Sequence, residues 1–181
     1  KMSFVGVQIY AGIGSEGERL PGSLRSHLAA GMLSLADVRT GDTVLDPFMG
    51  SGTILHVAAT TFKASHLIGA EIDHEAFGIA KNRLAGHGTS LSLGSFEDLD
   101  LAKIPKGTKL VGNVPFGNRF TTVRTNSLVE LTGRVTREGT PFALLLDRGQ
   151  ARELASQVRC RVKNVLVLGR QAAIAYITPW L

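Results

Sequence analysis

Short runs of aliphatic and β-branched residues alternate along the chain with stretches whose apolar positions recur every three or four residues. Five of these runs predict β-strands, over residues 43–45, 67–70, 91–93, 109–111 and 142–146. Continuous apolar runs of this length, bounded by turn residues, are typical of parallel strands that are buried on both faces. The alternation of strand and helix predicts an α/β chain with a parallel sheet.

The helical stretches are bounded by capping residues. Ser23 is the predicted N-cap of a helix over 24–35, and Asp73 is the predicted N-cap of another helix, which ends before Gly86. A further helical pattern covers residues 151–158, where apolar residues recur at i, i+3, i+4 and i+7. Helices between parallel strands provide the right-handed crossovers that such a sheet requires.

Two strand-like runs lie near the end of the chain, at 162–168 and 171–177, and they flank the dipeptide Gly169-Arg170. This arrangement predicts an antiparallel hairpin. The predicted fold class is therefore a doubly wound α/β sheet, mostly parallel, with an antiparallel C-terminal hairpin. We expect residues 1–22 to form an extension of strand and loop, and residues 23–181 to form one domain.

The composition is that of a folded protein, and we expect a cytoplasmic one. Of the 181 residues, 44% are hydrophobic and 19% are charged. No apolar run approaches the roughly 18 residues that a membrane helix needs, and no signal-peptide core follows Lys1. The single cysteine, Cys160, excludes an intrachain disulfide, and the spacing of the five histidines does not predict a metal site.

The charge balance gives weak information about partners. A formal net charge of +5 favours an acidic partner such as nucleic acid. Because residue 1 is Lys rather than Met, we also expect that the sequence is a segment of a longer chain.

The first strand is followed by the turn Asp46-Pro47-Phe48-Met49-Gly50-Ser51-Gly52-Thr53, which leads into a helix over 54–59. Its two glycines let the backbone bend sharply and let a ligand approach the main chain, while the helix N-terminus offers N–H groups to a carboxylate. Asp46 is a candidate partner for a ligand ammonium. A dinucleotide fold would place a third glycine at position 55, where Leu55 stands, so the turn does not favour a pyrophosphate.

The second strand ends in Gly69-Ala70-Glu71-Ile72-Asp73. An acidic residue at this place suits a bidentate hydrogen bond to two ribose hydroxyls, as in nucleoside-binding sheets. Glu71 is therefore the candidate ribose ligand, Ile72 offers an apolar face to an adenine ring, and Asp73 caps the next helix.

The fourth strand is followed by Asn113-Val114-Pro115-Phe116-Gly117-Asn118-Arg119. This motif places a side-chain carbonyl, a main-chain carbonyl and an aromatic ring in a small space, which suits the exocyclic amine of a nucleobase. Two acceptors aimed at the amine hydrogens stabilise the positive charge that develops when the nitrogen attacks. Phe116 would stack on the base and hold it in line with an electrophilic methyl group.

In this order, the three motifs resemble those of class I S-adenosylmethionine-dependent methyltransferases. More narrowly, they resemble the RNA guanine-N2 methyltransferases that usually carry an N-terminal THUMP domain. The resemblance covers about residues 20–177 and implies a Rossmann-like methyltransferase sheet, S-adenosyl-L-methionine as cofactor and RNA as substrate, with tRNA favoured. It also implies an RNA-binding domain upstream of this chain.

The resemblance also implies roles for particular residues. The cofactor would contact a set that follows the first three strands: Asp46, Pro47, Phe48, Gly50, Gly52, Thr53, Glu71, Ile72, Ser95 and Phe96. The target base would be held by the catalytic motif Asn113, Val114, Pro115 and Phe116, and Arg119 would contact the RNA backbone. The chain departs from the family pattern at four positions, which usually carry Cys, Glu, an acid and Pro in place of Met49, His56, Ser95 and Val114.

The sequence therefore predicts transfer of a methyl group from S-adenosylmethionine to the N2 amine of a guanosine in tRNA, or in ribosomal RNA. Three alternatives remain open: an adenine-N6 methyltransferase, a non-catalytic nucleic-acid-binding relative and, more remotely, a nicotinamide-dependent dehydrogenase. DNA amino-methyltransferases are disfavoured, because in many of them the Asn-Pro motif precedes the glycine turn, whereas here Asn113 follows it.

Overall fold

In a computed structural model of the chain, residues 24–115, 123–135, 139–167 and 170–178 are described. They form five α-helices, seven strands and two short 3₁₀ turns at Phe96–Asp98 and Leu101–Lys103. The helices and strands are, in chain order, α1 (Ser26–Leu35), β1 (Thr43–Asp46), α2 (Thr53–Thr60), β2 (His66–Glu71), α3 (His74–Arg83), β3 (Thr89–Leu93), β4 (Lys109–Asn113), α4 (Thr125–Val135), β5 (Phe142–Leu146), α5 (Arg148–Gln157), β6 (Arg161–Val167) and β7 (Arg170–Ile177).

The strands form one sheet in the order β3-β2-β1-β4-β5-β7-β6. Neighbouring strands from β3 to β5 are parallel, whereas β7 is antiparallel to both β5 and β6. The predicted doubly wound sheet with an antiparallel C-terminal hairpin is therefore confirmed. The chain winds outward from β1 to β3 in one direction and from β4 to β5 in the other, so the strand order reverses between β1 and β4, where such sheets bind ligands.

Each face of the sheet carries its own hydrophobic cluster. One cluster joins the sheet to α1, α2 and α3 and includes Val44, Leu67 and Val111. The other joins the sheet to α4 and α5 and includes Leu45 and Leu110. Successive residues of a strand point to opposite faces, so the clusters also define which face each side chain at the strand ends approaches.

The predicted capping residues are found where they lie in the described part of the chain. Asp73 accepts a hydrogen bond from the N–H of Ala76 at 2.8 Å and begins α3. Gly86 lies two residues after Leu84, the C-cap residue of α3, and has a positive φ of 85°. Helix α1 begins at Ser26 with Arg25 at its N-cap and no side-chain cap hydrogen bond, so the prediction of Ser23 as the N-cap is wrong.

Two features differ from the sequence prediction. Strand β3 was expected to be buried, but it lies at the edge of the sheet and four of its five residues are exposed, with only Leu91 half-buried. Helix α4 was not specified by the sequence pattern, because Thr, Asn, Ser and Gly weaken its helical signal, although Leu128 and Leu131 bury one side of it. The predicted extension 1–22 and Gly169 lie outside the described residues.

Candidate active site at the carboxyl edge of the sheet

The three motif residues lie at the carboxyl ends of adjacent strands. β1 lies between β2 and β4, with Asp46 paired in register with Gly69 of β2 and Leu45 paired with Leu110 of β4. Glu71 and Asn113 therefore extend beyond Asp46 on its two sides. Because neighbouring strands are separated by about 4.8 Å, the three side chains occupy one continuous edge at the point of strand reversal.

The same three side chains approach one face of the sheet. Val44, Leu67 and Val111 belong to the cluster beneath α1 and α2, and strand alternation puts Asp46, Glu71 and Asn113 on that same side. The structure thus brings together the predicted ammonium ligand, the predicted ribose ligand and the predicted base ligand, which are far apart in sequence.

Glu71 is held in place by two main-chain donors. The N–H of Gly50 donates to Oε2 and the N–H of Asp73 donates to Oε1, each at 2.8 Å. Each carboxylate oxygen keeps a further lone pair, since a carboxylate has about four acceptor sites. The carboxylate is therefore pre-oriented and still able to accept hydrogen bonds from a pair of ligand hydroxyls.

The glycine turn has the conformation that its sequence predicts. Gly50 and Gly52 have positive φ angles of 52° and 79°, which strongly favour glycine. A Cβ at Gly50 would meet nothing within 4 Å, so this part of the turn is open to a ligand, whereas one at Gly52 would approach Ala80 of α3 at 3.2 Å.

The residue beneath the turn is Met49, which is buried against β2. A Cβ built on Gly69 would lie 2.5 Å from the Met49 Sδ and 2.9 Å from a methyl group of Leu55. Gly69 therefore provides the space in which the Met49 thioether packs. This contact accommodates Met at position 49, where the family that the motifs resemble usually has Cys.

Asp46 is a buried acid. The N–H of Phe48 donates to Oδ1 at 3.1 Å, and the side chain is 1% exposed. Burial raises the pKa of this carboxyl to about 8; the Phe48 hydrogen bond opposes that rise, and the nearby Glu71 adds to it. At neutral pH the carboxyl is mostly protonated, and a cationic ligand group beside it would favour the ionised form.

Asn113 presents a buried acceptor without a partner among the described residues. Its Oδ1 is one of four buried side-chain polar atoms of this kind there. The next residue, Val114, is fixed by β5, since its N–H donates to the carbonyl of Leu145 at 2.9 Å. Pro115 is half-buried, and the predicted Phe116 and Arg119 lie outside the described residues.

The other predicted cofactor residues surround the turn. Phe48 and Phe96 contact each other edge to face, with ring centroids 4.9 Å apart, so the segment that begins at Ser95 lies beside the glycine turn. The Ser95 hydroxyl caps the 3₁₀ turn by accepting from the N–H of Glu97 at 3.2 Å. Ile72 directly follows the oriented Glu71 and is 69% exposed, so its apolar side chain is accessible to a ligand ring.

Arg83, at the end of α3, contacts the glycine turn and was not predicted from the sequence. Its Nη1 donates to the Ser51 carbonyl at 2.9 Å, to the Thr53 hydroxyl at 3.1 Å and to the Ser51 hydroxyl at 3.3 Å. His56 lies nearby, with a buried Nδ1 that has no partner in the described parts of the chain. Burial, Arg83 and His87 lower the pKa of the His56 imidazole, and a hydrogen bond to the Arg83 main chain opposes this.

The described side chains of the site suit the groups of a cationic nucleoside. An open glycine turn, a buried acid, an oriented carboxylate and an exposed Ile72 provide contacts for an amino-acid group, a ribose and a flat ring.

The described residues hold neither a metal-ligand cluster nor a membrane-spanning helix. They contain no group of three or more His, Cys, Asp or Glu side chains that could hold a metal. No helix among them is long and apolar enough to span a membrane.

The strand order and these motif residues together define a Rossmann-like methyltransferase domain. The profile of one protein family, described as RMKL-like, methyltransferase domain, matches residues 17–138. This match covers more than half of the chain, and the chain belongs to that family.

Individual relatives agree with this assignment. The human U6 snRNA (guanine-N(2))-methyltransferase THUMPD2 is 29% identical over 168 residues, which cover 90% of this chain and 33% of the relative. The tRNA (guanine(6)-N2)-methyltransferase of Thermus thermophilus is 37% identical over 106 residues, covering 56% of this chain and 31% of the relative. The crystal structure of TrmN from Thermus thermophilus matches with a TM-score of 0.62 and 24% identity, covering 87% of this chain and 49% of that one. The chain spans about a third of the length of the two sequence relatives.

Proposed function

We propose that this chain is the catalytic domain of an enzyme that transfers the methyl group of S-adenosylmethionine to the N2 amine of a guanosine in a structured RNA. Family membership supports methyl transfer, and the names of both sequence relatives specify guanine N2 in RNA. The observation that carries the proposal is the unpartnered, buried Oδ1 of Asn113, on the same edge as Asp46 and Glu71.

The physical argument begins with the cost of that atom. A buried acceptor without a donor costs about 1–3 kcal/mol, and native proteins rarely keep one without a reason. A nucleobase amine that enters the pocket would supply the missing donor. The acceptor at Asn113 is therefore better satisfied in a complex with a base than in the free protein.

Asn113 and Val114 would then act on the reacting nitrogen. The Asn113 Oδ1 and the Val114 main-chain carbonyl would accept the two amine hydrogens and stabilise the positive charge that develops on nitrogen. The hydrogen bond from Val114 to Leu145 fixes this part of the main chain relative to β5. The proton would leave to water afterwards.

The remaining site residues would bind and orient the cofactor. Glu71 would accept the ribose hydroxyls, Asp46 would face the ammonium group, and the first-turn N–H groups of α2 would face the carboxylate. S-adenosylmethionine, when bound, supplies a methyl group on a sulfonium. Ile72, Ser95 and Phe96 remain predicted contacts of the adenine.

The proposed substrate is RNA, with tRNA favoured, and an RNA-binding domain outside the given sequence would provide much of the substrate affinity. Arg119 is the predicted contact with the RNA backbone. A cytoplasmic location is part of the same proposal and is tested by fluorescence microscopy of the tagged full-length protein.

The proposal is tested by offering radiolabelled S-adenosylmethionine with tRNA, U6 snRNA and ribosomal RNA transcripts, followed by digestion and identification of the labelled nucleoside. N2-methylguanosine is expected. N6-methyladenosine would refute the guanine assignment, and a chain that binds no S-adenosylhomocysteine by calorimetry would refute methyl transfer altogether.

The role of Asn113 is tested by Asn113→Ala. We expect turnover to fall at least about 100-fold, because an oriented acceptor of the developing charge is lost, while cofactor affinity stays close to that of the parent. Asn126→Ala is the matched control, since Asn126 is exposed on α4. Equal turnover in the parent and in Asn113→Ala would show that Asn113 is not catalytic.

A further inference from the structure

The glycine turn is supported from below by α3. At Gly50 the turn is open, because a Cβ there would meet nothing within 4 Å. At Gly52 it is closed, because a Cβ would lie 3.2 Å from the Ala80 Cβ and 3.3 Å from the Ala80 Cα. The ligand side of the turn and its protein side are therefore distinct, and α3 forms the protein side.

Arg83 adds a polar clamp to this packing. It lies one turn of helix after Ala80 and directs Nη1 at three oxygen atoms that flank Gly52: the carbonyl and hydroxyl of Ser51 and the hydroxyl of Thr53. Hydrogen bonds from a charged donor are stronger than neutral ones. The guanidinium thus fixes both the main chain before Gly52 and the first residue of α2.

Helix α3 also reaches the ribose end of the site. Its cap residue, Asp73, donates its N–H to one oxygen of Glu71, and the N–H of Gly50 donates to the other. The beginning of α3 therefore contacts the Glu71 carboxylate, and its last residue contacts the turn. One helix positions two parts of the candidate cofactor site.

We propose that Arg83 is a positioning residue for cofactor binding, which holds Ser51 and Thr53 so that the first-turn N–H groups of α2 face the ligand carboxylate. This inference rests on the proposed function. It gives Thr53 a role in addition to the predicted ligand contact, because its hydroxyl accepts from Arg83 and can still donate its own proton. The hydrogen bonds of Arg83 to Ser51 and Thr53 lie at the glycine turn, so its loss should affect cofactor affinity rather than the chemical step.

The test compares Arg83→Gln and Arg83→Lys with Lys81→Gln, an exposed residue of the same helix whose substitution removes the same charge. Calorimetric titration with S-adenosylhomocysteine gives Kd, and steady-state kinetics with RNA separate KM for the cofactor from kcat. We expect Arg83→Gln to raise Kd and KM about tenfold with kcat within about twofold, in line with the loss of a charged hydrogen bond. Arg83→Lys should restore part of the affinity, and Lys81→Gln should change Kd less than twofold.

A double-mutant cycle with Thr53→Val shows whether Arg83 acts through Thr53. If it does, Arg83→Gln should weaken binding much less in the Thr53→Val background than in the parent. If the two substitutions change Kd independently, so that their effects multiply, Arg83 does not act through Thr53. If Arg83→Gln does not fold, the same cycle is built with Arg83→Lys and Thr53→Val, which still decides the question.

The outcomes separate this inference from the proposed function. If the parent chain binds S-adenosylhomocysteine and a folded Arg83→Gln binds it within twofold of the parent, the positioning role is refuted while the proposed function stands. A loss of thermal stability in Arg83→Gln with unchanged Kd would also refute it, because that result describes a purely structural residue. No binding by the parent refutes the proposed function itself.

Discussion

The buried acid Asp46 predicts that cofactor binding releases a proton. Its pKa is about 8 in the free protein, so at pH 7 the carboxyl carries about 0.9 proton. A ligand ammonium beside it would require the ionised form and would lower its pKa. Binding at pH 7 should therefore release about 0.9 proton per site from this group alone.

The same pKa sets the pH dependence of affinity. If only the ionised protein binds tightly, the binding constant follows the ionised fraction, and lowering the pH from 8.5 to 6.5 should weaken binding about 25-fold. Affinity should fall as the pH is lowered, because the raised pKa means that Asp46 is protonated and uncharged at pH values below about 8. At higher pH the ligand ammonium itself loses its proton, which opposes any further gain in affinity.

Calorimetry of S-adenosylmethionine binding in buffers with different ionisation enthalpies measures the released protons directly. Asp46→Asn is the control, since it imitates the protonated acid and retains any proton exchange of the cofactor itself. The difference between parent and variant should be about 0.9 proton at pH 7, and the variant should bind with a weaker pH dependence. Equal proton release in both proteins, or a Kd for the parent that is constant from pH 6.5 to 8.5, would refute this account of Asp46.

Three further substitutions test individual parts of the structure. Gly52→Ala should destabilise the fold by about 2 kcal/mol in urea denaturation, because of its positive φ and the approach of Ala80; an unchanged midpoint would contradict this. Asp73→Ala should cost about 1 kcal/mol in the same assay through loss of the α3 cap, and a neutral result would show that the cap is dispensable. His56→Gln should reduce the loss of stability between pH 7 and pH 5.5, because the lowered pKa means that the unfolded chain binds the proton more readily; identical pH profiles would exclude His56.

Sequence pattern predicted the sheet well, because its buried strands are short apolar runs separated by turns. The five predicted runs all lie within observed strands, and the hairpin of β6 and β7 pairs as expected. The exposure of β3 was not predictable, since Thr-Ser-Leu-Ser-Leu does not indicate which strand lies at the edge. That property depends on strand order, which is a tertiary feature.

The candidate site was predictable where it consists of residues at strand ends. Asp46, Glu71 and Asn113 were selected because each follows a strand run, and parallel strands bring such ends together. Arg83 gave no signal, because a basic residue in the last turn of a helix is expected in any case from the helix dipole. The raised pKa of Asp46 also needed the structure, since it comes from burial.

The packing of Met49 on Gly69 makes two positions of the chain interdependent. A Cβ at position 69 would lie 2.5 Å from the Met49 Sδ and 2.9 Å from a Leu55 methyl group, so a substitution there requires the Met49 and Leu55 side chains to move or a smaller residue at position 49. Conversely, a shorter residue at position 49 would leave a void that alanine at 69 partly fills. A library randomised at both positions should therefore yield matched pairs of large and small residues, and proteins that share this sheet are expected to vary the two sites in concert.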